Sequence, residues 1–173
     1  MTPPRRPGWV ARRGQSGMTF IELVIGIALT LSIIGVIAVT LVQMFNMNMR
    51  NTNNMTAVRN AQAAGYSVTR DAEMSKTVQV TFPPTPTFLT LTWTDPANYA
   101  VTHTVIYTLE TGTLWRKLDA GAKIMVANGI ALPAAPTYAG GKLVFNVTAT
   151  AGTPPRAGTE TRRYEVTPRP GVQ

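Results

Sequence analysis

The sequence predicts an α+β protein: one long N-terminal helix, transmembrane in its first half, packed on a C-terminal antiparallel β-sheet. Three observations predict it. Leu23 to Val42 is apolar and carries no charge, and about 20 such residues suffice for a helix to cross the hydrocarbon core of a bilayer. No proline falls between Pro7 and Pro83. After Lys76 the composition turns to Thr, Val, Phe, Tyr and Trp in alternating runs broken by Pro and Gly clusters, the pattern of half-buried strands. The outer half of the helix and one face of the sheet each need cover, and packing one on the other supplies both.

The N-terminus admits three readings. A cleaved secretory signal needs an apolar region of about 7–15 residues and then a small-x-small site. This run is longer, and Val42-Gln43-Met44-Phe45 behind it is bulky. An uncleaved anchor and a leader cut ahead of the apolar run both fit the hydropathy. They differ over Gly17 and Glu22, because a plain anchor has no use for a carboxylate at its edge. An ionised group at the centre of a spanning helix costs about 2.5–3.5 kcal/mol, and less near the interface. Arg5, Arg6, Arg12 and Arg13 precede the run and mark that side as cytoplasmic, so the C-terminal part faces outward.

Gly17-Met18-Thr19-Phe20-Ile21-Glu22-Leu23-Val24 resembles the cleavage and methylation site of type IV pilins and pseudopilins. The resemblance implies a pilin-like fold, cleavage between Gly17 and Met18 by a prepilin peptidase, and N-methylation of Met18 by the same enzyme. It implies an assembly role for Glu22. Met18 stands where the family more often has phenylalanine, and the leader of 17 residues is long for it. The implied division is a leader over 1–17, a transmembrane and assembly helix over 18–45, its outer half over 46–76, and an extracytoplasmic β-rich domain over 77–173. Met18 and Glu22 are four residues apart, and a carboxylate is favoured at the positive end of a helix dipole. In a bundle, Glu22 of one subunit neutralises the new amine of another and sets axial register. The alternative is that Glu22 pairs within its own subunit or lies among headgroups.

The 173 residues suit one globular domain with extensions. The formal charge is +8, and loss of the leader leaves 12 basic and 8 acidic side chains. With no cysteine, disulfides and thiolate metal sites are excluded. The leader, rich in proline and glycine, is expected not to fold, and Trp9 within it suits a membrane interface. Gly26 and Gly35 lie inside the span, nine residues apart and so outside the GxxxG spacing. Beyond the span, Met44, Met47, Met55, Val58, Ala61, Val68 and Ala72 trace a weak helical stripe. Its methionines read first as packing residues and second as a metal- or oxidation-sensing set. The asparagines between Asn46 and Asn54 are poor helix formers and are expected to loosen the helix there. Asp71 and Glu73 point to different helix faces and read as a solvated helix end.

Strands are expected over Val78–Phe82, then at Leu89, Leu91 and Trp93, then at Val101, His103, Val105, Tyr107 and Leu109. Asp95-Pro96-Ala97-Asn98 is a turn, and Glu110-Thr111-Gly112 turns the chain into a partner strand over Thr113–Leu118. Leu143, Phe145 and Val147 mark another strand, Ala149–Gly158 a loop, and Arg163–Thr167 the last strand. The total is roughly four to six strands, with a mobile tail from Pro168. The stretch from Tyr107-Thr108-Leu109 to Gly112-Thr113-Leu114-Trp115-Arg116 resembles the Tyr-x-Leu … Gly-x-Leu-aromatic-Arg hairpin of minor pilins and minor pseudopilins, which implies a minor rather than a filament-building subunit.

No catalytic constellation, phosphate loop or metal set emerges, so no enzyme activity and no cofactor are expected. His103 is the one histidine and reads as a strand-face residue. Asn146-Val147-Thr148 matches a glycosylation sequon within a strand. Arg116, Lys117, Lys123, Lys142, Arg156, Arg162, Arg163 and Arg169 gather late, near Trp115 and Tyr164. They read as a solvated basic surface or, alternatively, as a nucleic-acid face suited to a DNA-uptake pilus tip. The expected function is a structural subunit of a type IV pilus-like filament, with a type II secretion pseudopilin as the alternative. Its expected partners are the prepilin peptidase/methylase, other pilin subunits, a pilus assembly platform and the membrane.

Overall fold

A computed structural model describes residues 17–169. The expectations for the leader ahead of Gly17, including Trp9, and for the tail beyond Arg169 lie outside the described residues. The chain forms two compact units that meet between Met44 and Phe45. One helix, α1 (Phe20–Met74), contributes to both. It starts two residues later than Met18 and is continuous through the asparagine cluster, against the expected loosening.

In the first unit α1 is long and apolar enough to cross a membrane, and none of its most apolar stretch is buried. Three hydroxyls in that stretch bond back to carbonyls one turn earlier: Thr30 to Gly26, Ser32 to Ala28 and Thr40 to Val36. Each polar group is thus satisfied inside the helix, as a lipid environment requires.

The second unit places the outer half of α1 on two antiparallel sheets. The first is a meander of β1 (Thr77–Val80), β2 (Thr87–Thr94), β3 (Thr102–Glu110), β4 (Thr113–Leu118) and β5 (Ile124–Asn128). The second is built on β8 (Lys142–Ala151). Strand β9 (Gly158–Val166) runs along one edge of β8. β6 (Ile130–Ala131) and β7 (Thr137–Ala139) share the other. The antiparallel α+β arrangement is as expected, but there are nine strands in two sheets. β5, β6 and β7 were not expected. They are short, and Ile124, Met125 and Tyr138 face outward, so no apolar alternation marks them. The loop expected over Ala149–Gly158 shrinks to 152–157, because Thr148 pairs with Thr161 and Thr150 with Thr159 across β8 and β9. Threonine suits a strand.

The helix face on the sheets is made of small residues: Ala57, Ala61, Ala64, Gly65, Val68 and Ala72 are buried. They meet Leu91, Val105, Tyr107 and Leu114 of the first sheet and Leu143, Phe145 and Val147 of the second in one core. Met44, Met47 and Met55 do not join it; all are exposed. They precede Ala57, where the buried face of α1 begins, so the packing role expected of them is not seen within this chain. A strap closes the near end: the Asn53 side chain donates to the Arg156 carbonyl at 2.7 Å. Gly158 lies so close to the Asn54 backbone that a Cβ would sit 2.4 Å from its nitrogen.

Tyr164 of β9 lies across α1, its hydroxyl donating to the Ala61 carbonyl at 2.9 Å and its ring stacked on Phe145 at 5.2 Å. A Cβ on Gly65 would fall 1.9 Å from that ring. Gly65→Ala is expected to cost about 1–3 kcal/mol as the ring is displaced. Gly65→Ala with Tyr164→Leu is expected to cost less than the sum of the two single changes, and a double-mutant cycle by urea denaturation measures this coupling.

Candidate functional site

Three places carry candidate chemistry. At the first, Gly17 and Met18 precede the helix in irregular, exposed backbone. Glu22 stands in the first turn of α1. Its Oε2 accepts the Thr19 amide at 2.8 Å and the Thr19 hydroxyl at 2.9 Å. The Glu22 amide donates back to Thr19 Oγ1 at 3.4 Å. This is a capping box, with Thr19 at the N-cap and Glu22 three residues on. Within one chain, therefore, Glu22 pairs with its own helix start, which was the alternative to the intersubunit role. The sequence signal of the capping box is Thr-x-x-Glu ahead of an apolar run.

The second place is the hairpin of β3 and β4. Register sets Tyr107 opposite Arg116 and Leu109 opposite Leu114. Gly112 turns the chain with φ +75°, in the left-handed region that glycine enters without cost. Both polar residues converge on Asp71 of α1, which is 3% exposed. Arg116 donates from Nε at 2.6 Å and from its second guanidinium nitrogen at 3.0 Å, and the Tyr107 hydroxyl donates at 2.6 Å. Ser67 and the Tyr107 hydroxyl are 2.9 Å apart. Burial, and then the Asp71 charge, push the Tyr107 phenol far above its ordinary value. Asp71 is thus no solvated helix end; only Glu73 of that pair is exposed. The carboxylate is filled by three donors, which suits a clamp between helix and sheet rather than acid–base work.

The third place is His103. Its Nδ1 is 2.8 Å from Asp119 and its Nε2 is 3.8 Å from Asp95, while Trp93 lies beside the ring at 5.6 Å. The carboxylates sit at opposite nitrogens, so they cannot share one metal ion with the ring. The hydrogen bond to Asp119 holds His103 above its ordinary value. His103, followed by the Thr104 amide, holds Asp119 below the usual carboxylate range. The histidine's contribution is complete below its unfolded value of about 6.5 and is lost as pH rises through the folded one. The aspartate's is complete above about 4 and is lost as pH falls through its lowered value. The melting temperature is expected to fall as pH rises above about 6.5, and His103→Gln to flatten that fall.

No protein family, characterised protein or solved structure matches this chain significantly.

The late basic residues do not form one free patch. Arg116 is held by Asp71, Lys123 by Glu110, Lys142 by Glu165, Arg162 by Glu160, and Arg163 lies near Glu165. Asn146 sits half-buried within β8, opposite Arg163. Among the described residues no cluster of His, Cys, Asp and Glu is arranged to hold a metal ion.

Proposed function

We propose that the chain is a structural subunit of a type IV pilus-like filament, cut between Gly17 and Met18, methylated at Met18 and assembled through α1. One observation carries the reading. A glycine, then four mostly apolar residues and a glutamate open directly onto an uncharged run whose side chains find no cover among the described residues. Removing such a helix from lipid is costly unless like helices bury it again, so partner subunits are obligatory on this reading. The Tyr107–Arg116 hairpin supports a minor subunit, whether of a pilus or of a secretion pseudopilus. Imaging of surface fibres separates the two.

Cleavage places an ammonium group on Met18, one residue from the Thr19 amide that Glu22 already accepts. The carboxylate then has a choice between its own cap and a neighbouring subunit's amine. Intact-mass and N-terminal peptide analysis of the protein from its native membranes tests the reading. A chain beginning at N-methylated Met18 supports it, and one retaining residues 1–17 makes the segment a plain anchor. Glu22→Ala is expected to be processed yet to enter filaments at a small fraction of the wild-type level. Loss of the cap alone costs only about 1 kcal/mol, so normal incorporation removes the register role.

A further inference from the structure

Charge is unevenly compensated in the second unit. Of its seven carboxylates, six lie within 4.0 Å of a cationic or imidazole nitrogen. Among the described residues Glu73 alone has no such partner. On α1, Arg59 and Arg70 are exposed and meet no carboxylate among the described residues. At about 100° per residue, Arg59, Tyr66 and Arg70 fall within about 40° of one another, on the side opposite Ala61 and Val68. Tyr66 is 69% exposed and forms a ridge between two grooves. One, of about 300 Å³, is lined by Ser67, Arg70, Met74 and Ile124 together with the paired Asp71 and Arg116. The other, of about 370 Å³, is lined by Gln62, Thr69, Tyr164 and Arg162, whose charge Glu160 already holds.

We infer that the Arg59–Tyr66–Arg70 face of α1 docks an acidic, amphipathic segment of a different protein subunit. Charge complementarity selects this occupant. A second copy brings the same two arginines with only Glu73, which lies about 20° from Tyr66 on that face, so self-docking leaves an excess of cations. Nucleic acid fits poorly: only two cations of the face are unpaired, so few counterions are released, a salt slope of only about −2, and the surface exposed in the grooves beside Tyr66 is mostly apolar. A segment with apolar side chains for the grooves and carboxylates for the arginines uses the whole face, and tyrosine and arginine are the residues that most often dominate such contacts. The inference deepens the filament reading by giving the neighbouring subunit a chemistry.

The test uses the full chain in detergent micelles and a labelled synthetic helix of leucine and glutamate as probe. Arg59→Glu with Arg70→Glu is expected to weaken binding at least tenfold, and Lys117→Glu with Arg169→Glu, an equal charge change elsewhere, less than twofold. Equal weakening in both pairs, or none in the first, overturns the inference. So does tighter binding of duplex DNA than of the probe, lost in the same Arg59/Arg70 variant. The chain has no cysteine, so Tyr66→Cys introduces a unique thiol. Oxidation in membranes is expected to leave it no more dimeric than Lys117→Cys, and preferential disulfide dimers overturn the inference in favour of a second copy. The filament reading stands or falls on the N-terminal residue of the processed chain, which these measurements do not touch.

Discussion

Asp71→Ala is expected to destabilise the β-rich unit by about 3–5 kcal/mol, the range for removing one partner of a buried ion pair. The substitution leaves the Arg116 guanidinium, at 19% side-chain exposure, without its carboxylate. It also strips the buried Tyr107 hydroxyl of one of its two partners. Both losses fall where, among the described residues, the helix is tied to the first sheet by charge. Asp71→Asn keeps the shape but not the charge, and is expected to recover only part of the loss. A triple change, Asp71→Leu with Arg116→Met and Tyr107→Phe, removes every group the network had to satisfy. It is expected to recover most of the stability, because a buried pair replaced by apolar residues of similar volume is often neutral. Urea denaturation followed by tryptophan fluorescence reads all three. A loss below about 1 kcal/mol for Asp71→Ala refutes the clamp.

Gly129→Ala is expected to be comparably damaging, by about 2–5 kcal/mol. Gly129 is the single residue between β5 of one sheet and β6 of the other. Its φ is +66°, and a Cβ there would lie 2.0 Å from the Thr150 carbonyl oxygen. Its own carbonyl accepts the Thr150 amide at 2.8 Å. Left-handed backbone costs a residue with a Cβ about 1–2 kcal/mol, and overpacking adds about 1–3. The obstacle is backbone within a strand, so no side chain can swing aside to relieve it. Thermal melting gives the size of the effect. Hydrogen exchange at Thr150 gives its location, and protection there is expected to fall before protection at Tyr107.

The long helix and the β3–β4 hairpin were legible in the sequence because they depend on local pattern: an uncharged run, a proline-free stretch, and alternation on either side of Glu110-Thr111-Gly112. The short strands from Ile124 to Ala139 were not, since Ile124, Met125 and Tyr138 face outward and leave no alternation to read. Asp71 was misread for a different reason. Its burial is decided by Tyr107 and Arg116, 36 and 45 residues away, and nothing near Asp71 announces a partner. At the N-terminus, the motif of Gly17, Met18 and Glu22 drew the reading toward other subunits. The hydrogen bonds of a single chain bring Thr19 into the same site.

The helix is fastened at three heights: Asn53 to the strap, Ala61 to Tyr164 of the second sheet, and Asp71 to the hairpin of the first. At about 1.5 Å per residue these ties are spread over roughly 27 Å of axis. A pull along the helix therefore loads the ties side by side, in shear, and not one after another as a zipper opens. The two sheets share that load through different strands, so slippage requires them to yield together.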